Sequence, residues 1–344
     1  AVLTESEAEQ LIKAMKKISD SGIAILFITH RLDEVMSAAD NITILRDGTL
    51  VCKLHTSETN IEEIAQKMVG REVEMHTKEK SAENHEVIMS IRNMRVHMPA
   101  EEAKGIDLDI MKGEILGIGG LAGHGKLGIA NGVIGLYPAA GDITFKGKEL
   151  KLGDTKNILK DGIAFVSEDR KGVGLLLDVS IEENISATAM QIKEKFLKKI
   201  GIRLADNKAI RENAEKYIKS LDIRCTGPKQ FTRRLSGGNQ QKVCIARALT
   251  LEPDLLFVSE PTRGIDIGAK KIVLDTLVEL SKEQGMTVVM TSSELNELRM
   301  VCDRIAIITE GKVEGILLPT DSDVDFGLMM SGDYKKVKGG NLNG

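Results

Sequence analysis

The chain has 344 residues, of which 42% are hydrophobic and 28% charged, a composition that supports one large or two ordinary packed domains. A net charge of −4 and an aromatic content of 3%, with no Trp, argue against a nucleic-acid partner, which needs a basic surface or stacking aromatics. The 4 Cys and 6 His are scattered, so neither a disulfide framework nor a zinc site is indicated, and no apolar run approaches the ~20 residues of a membrane helix.

Residues 1–75 have the pattern of the end of an α/β domain. Helical spacing of apolar residues predicts a helix over residues 6–20. The apolar run 23–28, which follows a glycine, predicts a buried strand. After this segment, the pattern predicts a helix at residues 29–35 and a strand at 42–45. A turn at 47–48 then leads into a second strand at 49–51.

The same pattern returns near the other end of the chain. Three pairs of residues match at one constant separation: Gly22 with Gly285, Asp40 with Asp303, and Gly48 with Gly311. A repeat this long indicates a domain duplication rather than a solenoid. The sequence therefore predicts the end of a first unit at residues 1–75 and a polar linker at 76–86. A complete second unit follows at 87–330, and a flexible tail at 331–344.

The second unit alternates strands with helices. Strands are predicted at residues 87–94, 106–110, 114–118, 163–166 and 255–258, with a largely helical stretch at 181–221 and a helix at 239–249. Such alternation predicts a mainly parallel, doubly wound α/β core. Periodicity is lost beyond residue 319, which indicates a tail without regular structure.

A glycine-rich segment at residues 120–127 lies between a predicted strand and a predicted helix. In that context backbone N–H groups cradle phosphates and a lysine neutralises their charge; the alternative is an ordinary glycine-rich turn. Leu127 stands where a Ser or Thr would ligate Mg²⁺, and Gly128 and Gly132 each weaken the helix by about 1 kcal/mol relative to Ala. The candidate nucleotide-binding residues are Gly120, Gly123, His124, Gly125, Lys126 and Leu127.

A second glycine motif, Leu-Ser-Gly-Gly-Asn, precedes a predicted helix. Its glycines allow close approach of a phosphate, its serine offers a hydroxyl, and the helix directs its positive end toward the anion. The alternative is a turn that only caps the helix. The residues of this motif are Leu235, Ser236, Gly237, Gly238 and Asn239.

In this order the two motifs resemble those of ABC-type ATPases. The strand 255–258 and the residues after it resemble the Walker B element of that family. The resemblance implies that Glu260 is the general base, whereas Ser259 replaces the Asp of the Mg²⁺ shell. Taken alone, Glu260 would be a surface carboxylate at the end of a strand.

Three more positions depart from the family. Glu168 lies where the Q-loop has Gln, and Ser293 replaces the γ-phosphate-sensing histidine of the H-loop. The repeat keeps that histidine as His30, a second candidate catalytic residue, although a lone histidine is more often a core or capping residue. Only His97 and Met98 lie where an adenine-stacking aromatic is expected.

Segments 167–171 and 260–266 narrow the resemblance to ATP-binding subunits of bacterial sugar importers of the ribose, galactose and xylose type, with two ABC domains in one chain. The resemblance implies a P-loop NTPase core with a mainly parallel sheet, an antiparallel β subdomain and a helical subdomain. It implies ATP as cofactor and Mg²⁺ at a weakened site. It also implies membrane-spanning permease subunits, an indirectly coupled periplasmic or lipid-anchored sugar-binding protein, and a cytoplasmic position at the inner face of the membrane.

ABC domains work in head-to-tail pairs, so each ATP lies between the phosphate loop of one unit and the signature of the other. Residues 235–239 are therefore expected to serve the first domain's site, together with His30, while the second unit's own site is eroded. The phosphate loop, Walker B strand and signature of the first domain are expected to precede residue 1 and to be missing from this chain.

The predicted function is the energy-coupling ATPase subunit of a carbohydrate importer, with little hydrolysis at the second site. One alternative is a catalytically silent nucleotide-binding or scaffold module, favoured by the changes at positions 127, 259 and 293. Another is a soluble ABC protein of translation or DNA repair, which the acidic charge balance disfavours.

Overall fold

The computed structural model describes residues 5–29, 32–46, 49–61, 63–64, 67, 86–200 and 202–334. It divides into two compact units. Unit 1 comprises Ala1–Met75 with Asp266–Gly268, and unit 2 comprises His76–Ile265 with Ala269–Gly344. Among the described residues, no helix is both long enough and apolar enough to cross a lipid bilayer.

Unit 1 contains two helices whose bounds lie within the described residues, and one hairpin. These elements are α1 (Glu5–Asp20), α2 (Leu32–Ala38), β1 (Asn41–Arg46) and β2 (Thr49–His55), followed by a 3₁₀ turn at Thr56–Glu58. β1 pairs antiparallel with β2, and a small core is formed by Leu32, Ile42, Ile44 and Ile64. His30 and the predicted turn at residues 47–48 lie outside the described residues.

The predicted buried strand at residues 23–28 is wrong. This segment has no strand conformation, and the side chains of Leu26 and Ile28 are 94% and 96% exposed. A buried parallel strand requires hydrogen-bonded neighbours for its backbone. The described part of unit 1 forms only the β1–β2 sheet, so this segment has no strand to pair with.

Unit 2 contains twelve strands in the part of the chain that the structure describes. They are β3 (Val87–Val96), β4 (Ala103–Met111), β5 (Ile115–Gly119), β6 (Ala139–Phe145), β7 (Lys148–Glu149), β8 (Ile163–Val166), β9 (Leu197–Ile200), β10 (Ile202–Ala205), β11 (Leu255–Ser259), β12 (Thr287–Thr291), β13 (Arg304–Thr309) and β14 (Lys312–Leu317). A six-stranded sheet has the order β14-β13-β5-β12-β11-β8, and only the edge strand β14 is antiparallel. The predicted mainly parallel sheet is confirmed.

The helices that accompany these strands begin after residue 125. They are α3 (Lys126–Ile134), α4 (Thr155–Lys160), α5 (Ile181–Lys193), α6 (Asn207–Ser220), α7 (Gly237–Leu249), α8 (Ile267–Gln284), α9 (Leu295–Val301) and α10 (Asp323–Ser331). A π-turn occupies Arg170–Gly174 and a 3₁₀ turn Thr232–Arg234.

The six-stranded sheet separates two hydrophobic cores. Strand β11 shows this most clearly, because Leu255 and Phe257 belong to one core while Leu256 and Val258 belong to the other. All five residues of β11 are buried, as expected for a strand covered on both faces. The strand that leads to Glu260 is therefore fixed from both sides.

One core also includes a second, antiparallel sheet. Its order is β4-β3-β6-β7, and α3 contributes Ile129, Val133 and Ile134 to the same core. The opposite core is formed largely by helices, with Ile181 and Ile185 of α5 and Val243 of α7 among its members. The predicted α/β fold, with an antiparallel β subdomain and a helical subdomain, is confirmed.

Two segments of unit 2 depart from the sequence-based expectation. The stretch predicted as largely helical contains the β9–β10 hairpin, because α5 ends at Lys193 and the next residue, Glu194, adopts a left-handed φ of 50°. Residues beyond 319 are not all irregular: Ser322 caps α10, whose Phe326 is completely buried. A short helix held by one aromatic side chain is too brief to give a clear periodic pattern.

A completely buried amide holds the helical subdomain together. Asn184 Nδ2 donates to Leu176 O at 2.8 Å and to Thr232 Oγ1 at 2.8 Å, and Oδ1 accepts from Leu176 N at 2.8 Å. Asn184 thereby connects α5 to the segment that runs into α7. A buried polar group left without a partner costs about 1–3 kcal/mol. The amide therefore stabilises the subdomain by pairing buried backbone and hydroxyl groups that would otherwise have no partner.

We therefore expect Asn184→Ala to lower the free energy of unfolding by about 2–4 kcal/mol, since several buried polar groups lose their partner at once. Urea unfolding followed by circular dichroism measures the change. Asn207→Ala, at an exposed position on α6 of the same subdomain, is the matched control and should change stability by less than about 0.5 kcal/mol. Equal effects of the two substitutions would contradict the assigned role of Asn184.

Candidate functional site

The predicted phosphate loop connects β5 to α3, as expected from the sequence. Gly125 adopts a left-handed φ of 94°, and a Cβ atom there would clash with the carbonyl oxygen of Glu102. The loop is braced from another side by Gly311 N, which donates to His124 O at 2.9 Å. Only glycine combines this φ with so close a backbone approach, so packing as well as ligand chemistry requires it.

Lys126 is the central cation of the site. It is only 1% exposed, and its Nζ donates to Gly120 O at 3.0 Å and to Ser293 Oγ at 2.7 Å. Burial lowers the pKa of Lys126 from its ordinary value, although the nearby carboxylates of Glu260 and Glu101 act in the opposite direction. The ammonium is thus held by two neutral oxygens in a poorly solvated position, where negative charge is strongly attracted.

Ser293 connects Lys126 to Glu260. Ser293 Oγ donates to Glu260 Oε1 at 2.6 Å, and Lys126 Nζ lies 3.8 Å from the same carboxylate oxygen. Glu260 has a left-handed φ of 47° and its backbone N–H donates to Thr291 O at 2.8 Å, which fixes it at the ends of β11 and β12. The structure therefore brings together three residues that the sequence had placed at one site.

The positions expected to ligate Mg²⁺ supply few oxygens. Leu127 has none in its side chain, and Ser259 is completely buried, with no hydrogen-bond partner for its Oγ in the described part of the chain. Mg²⁺ prefers carboxylates and phosphate oxygens, and no cluster of three or more His, Cys, Asp or Glu side chains suited to a metal occurs among the described residues. The donor set at positions 127 and 259 does not fit Mg²⁺.

Glu168, at the Q-loop position, is held by its neighbours. Asn131 Nδ2 donates to its two carboxylate oxygens at 3.2 and 3.4 Å, and Ser167 Oγ donates at 3.4 Å. Asn131 belongs to α3, so Glu168 lies beside the helix that begins at Lys126. The predicted residue is therefore close to the phosphate loop.

Sequence reasoning missed the acidic residue that contacts the phosphate loop most directly. Glu101, in the turn before β4, accepts hydrogen bonds from the backbone N–H groups of Gly123, Gly125 and Leu127. No motif marks this residue, because it lies in an irregular turn far from the loop in sequence. His97 and Met98 precede it; His97 forms an exposed pair with Glu102, and Met98 packs on the core.

A second missed carboxylate supports the loop that follows Glu260. Glu297 of α9 is 3% exposed and accepts from Thr262 Oγ1 at 2.6 Å and from Ser292 Oγ at 3.1 Å. Burial raises the pKa of Glu297, while the hydrogen bond from Thr262 and the charge of Lys270 oppose the rise. Only its position four residues after Ser293, on the same loop and helix, could have indicated it.

The Leu-Ser-Gly-Gly-Asn motif at residues 235–239, called the signature motif below, forms a separate surface at the start of α7. Ser236 caps the helix and is exposed, whereas Leu235 is buried and anchors the segment. A Cβ atom at Gly237 would lie 3.0 Å from Gly264 O and 3.3 Å from Arg170 Nη2. Among the described residues, no hydrogen bond joins residues 235–239 to the phosphate loop. The structure does not bring the two candidate phosphate-binding motifs together.

The glycines of α3 have a packing role that helix propensity does not reveal. A Cβ atom at Gly128 would clash with the carbonyl oxygen of Glu101, and one at Gly132 would lie 2.5 Å from Val96 Cγ2. Gly327 of α10 is the opposite case, because a Cβ atom there would have no described neighbour within 4 Å. The same substitution should therefore have opposite effects in the two helices.

We expect Gly128→Ala to lower the free energy of unfolding by about 1–3 kcal/mol, because backbone must move to admit the methyl group. Gly327→Ala should leave it unchanged or raise it by up to about 1 kcal/mol through helix propensity alone. Thermal unfolding of the two variants compares them directly. A stabilising Gly128→Ala would show that propensity outweighs packing in α3.

Comparison with known families agrees with this geometry, because residues 103–263 match the family model described as ABC transporter. The chain is 36% identical to a ribose import ATP-binding protein of Clostridium tetani over 92% of this chain and 61% of that protein. It is likewise 36% identical to one of Lactococcus lactis over 94% of this chain and 63% of the relative. The chain thus spans a little over three-fifths of the length of these relatives.

Solved structures give the same fold. A dimeric bacterial ABC transporter cassette superposes with a TM-score of 0.56 at 24% identity, covering 68% of this chain and 100% of the other. A nucleotide-free ATP-binding cassette from an ABC transporter gives 0.57 at 19% identity, over 71% of this chain and 95% of the other. The chain contains an ABC transporter ATP-binding domain and is homologous to ribose import ATP-binding proteins.

Proposed function

We propose that this chain belongs to the ATP-binding, energy-coupling subunit of an ABC-type carbohydrate importer. The relatives at 36–37% identity, which are ribose import ATP-binding proteins, support this assignment. Its partners are membrane-spanning permease subunits, and a sugar-binding protein is coupled through them. The subunit lies at the inner face of the membrane. Residues 1–75 belong to a first ABC domain, of which His30 is the γ-phosphate sensor.

The nucleotide site of unit 2 is suited to hold a nucleotide rather than to cleave it. The observation that carries this proposal is the hydrogen-bonded chain Lys126–Ser293–Glu260. A general base accepts a proton from the attacking water, and one of the two carboxylate oxygens of Glu260, Oε1, is already held by Ser293 and lies near the ammonium of Lys126. The missing ligands at positions 127 and 259 weaken the Mg²⁺ site further.

The signature motif serves a nucleotide bound to another ABC unit. Its exposed Ser236 and the N-terminal end of α7 form no hydrogen bond with the phosphate loop of their own unit among the described residues. A helix end with free N–H groups and a hydroxyl attracts phosphate oxygens. Hydrolysis by the assembled importer therefore depends on Ser236 and Gly237 more than on Glu260.

In the assembled importer, we expect Ser236→Ala to lower the ATPase rate at least about tenfold, because a phosphate-stabilising group is lost. Glu260→Gln should lower it less than about twofold, since in the proposed division of roles hydrolysis takes place at the other unit's site and Oε1 of Glu260 is already held by Ser293. The measurement is phosphate release by the full subunit with its permease in proteoliposomes, with sugar and binding protein present. Tracer uptake of ribose and other sugars by the same vesicles tests the transport assignment.

The control addresses the capping role of Ser236. Ser322 caps α10 in the same way, accepting from Asp325 N at 3.2 Å, so Ser322→Ala removes an equivalent helix cap away from the site. It should leave the ATPase rate unchanged. A large loss with Glu260→Gln, combined with a mild effect of Ser236→Ala, would contradict the proposed division of roles.

A nucleotide-binding module without catalysis is the second candidate, favoured by the hydroxyl of Ser259, which has no partner among the described residues where a metal-binding carboxylate is expected. For either function, ATP affinity of the chain should change less than about threefold when Mg²⁺ is removed with EDTA, since positions 127 and 259 offer it almost no ligand. Isothermal titration measures this. The double variant Leu127→Ser, Ser259→Asp should make binding Mg²⁺-dependent; strong dependence in the unmodified chain would contradict a weakened metal site.

A further inference from the structure

The phosphate loop already has an anion in its cradle, and that anion comes from the chain itself. The carboxylate of Glu101 accepts from Gly123 N at 2.9 Å through Oε1, and from Gly125 N at 2.9 Å and Leu127 N at 3.3 Å through Oε2. These are the backbone donors that a phosphate loop directs at a bound phosphate. One side chain therefore occupies three of the donors that a nucleotide requires.

The carboxylate is built into its position. Glu101 is 8% exposed, and its backbone N–H donates to Met98 O at 3.0 Å, which closes a turn. Ala100 in that turn has a left-handed φ of 62°. The carbonyl oxygen of Glu101 lies so close to Gly128 that a methyl group could not be placed between them. Turn, loop and helix α3 thus fit together around this side chain.

The negative charge of the Glu101 carboxylate complements the N–H donors of the phosphate loop, as the charge of a phosphate would. Two N–H groups of the phosphate loop, one in the first turn of α3 and the buried ammonium of Lys126 create a positive potential there. Glu101 acts on Lys126 electrostatically, because its charge is among those that favour the protonated lysine. A nucleotide phosphate would compete for the same donors and would be repelled by the carboxylate while it remains.

We propose that Glu101 is an internal competitor of nucleotide at the phosphate loop of unit 2, where its carboxylate takes the place of a phosphate group. Binding of a nucleotide requires the turn at residues 98–101 to release the carboxylate. The inference rests on the proposed function of this loop as a nucleotide site. It adds that the apparent affinity for nucleotide depends on the carboxylate of Glu101 as well as on the residues at positions 127 and 259.

Removing the carboxylate should therefore tighten binding. We expect Glu101→Gln and Glu101→Ala to lower the dissociation constant for ATP at least about tenfold, equivalent to about 1.4 kcal/mol. The measurement is isothermal titration of the unmodified chain and of each variant with ATP in EDTA. Inorganic triphosphate serves as a second probe that lacks the base and ribose, and it should show the same gain.

The adjacent residue provides the matched control. Glu102 has the same charge and lies next in sequence, but its side chain pairs with His97 rather than with the phosphate loop. Glu102→Gln should leave both dissociation constants unchanged, which separates a local effect from a general loss of negative charge. Adding Lys126→Ala to Glu101→Gln should abolish the gain, because the phosphate would lose its cation. Circular dichroism confirms that each variant is folded, and Glu101→Gln preserves the shape of the side chain.

The outcomes are distinct. Equal affinities of the unmodified chain, Glu101→Gln and Glu101→Ala would overturn the competitor role and leave the nucleotide site standing. A gain with Glu102→Gln as large as with Glu101→Gln would also overturn it. Absence of ATP and triphosphate binding in every folded variant would overturn both this inference and the nucleotide site of unit 2. The role of the signature motif would still be decided separately by the ATPase rate of Ser236→Ala.

Discussion

The buried ammonium of Lys126 is the interaction on which the site depends. An unpaired charge in such a position would be costly, so the surrounding groups must supply oxygens: Gly120 O, Ser293 Oγ and the carboxylate of Glu260. Those oxygens come from the ends of neighbouring strands in the parallel sheet, so the sheet order determines which residues meet the lysine. The order of the strands therefore determines which charged and polar groups surround Lys126.

Ser293 links the charge of Lys126 to that of Glu260. A serine there is short enough to bridge the lysine and the glutamate, which closes an internal hydrogen-bonded chain. Position 101 has a similar effect on the other side, where a carboxylate satisfies the backbone donors of the loop. Both contacts give polar groups of the site hydrogen-bond partners from within the chain, which offsets part of the cost of burying them.

The sequence predicted the parts of the molecule that follow a local rule. The strand Leu255–Ser259, the glycine-rich loop between β5 and α3, and the helix after Ser236 were located correctly, because burial and glycine patterns are local. The segment at residues 23–28 was assigned wrongly, since an apolar run becomes a strand only where a partner strand exists. Glu101 could not be found, because its role arises from a tertiary contact across more than twenty residues.

The packing of α3 has a consequence for how such chains change over generations. Gly128 and Gly132 are required by neighbouring backbone and side chains, whether or not a nucleotide is bound. A lineage that stopped binding nucleotide would therefore keep these glycines under selection for folding alone. After a loss of activity, substitutions would accumulate first at residues with few packing partners. A preserved glycine pattern would then indicate a preserved fold rather than preserved catalysis.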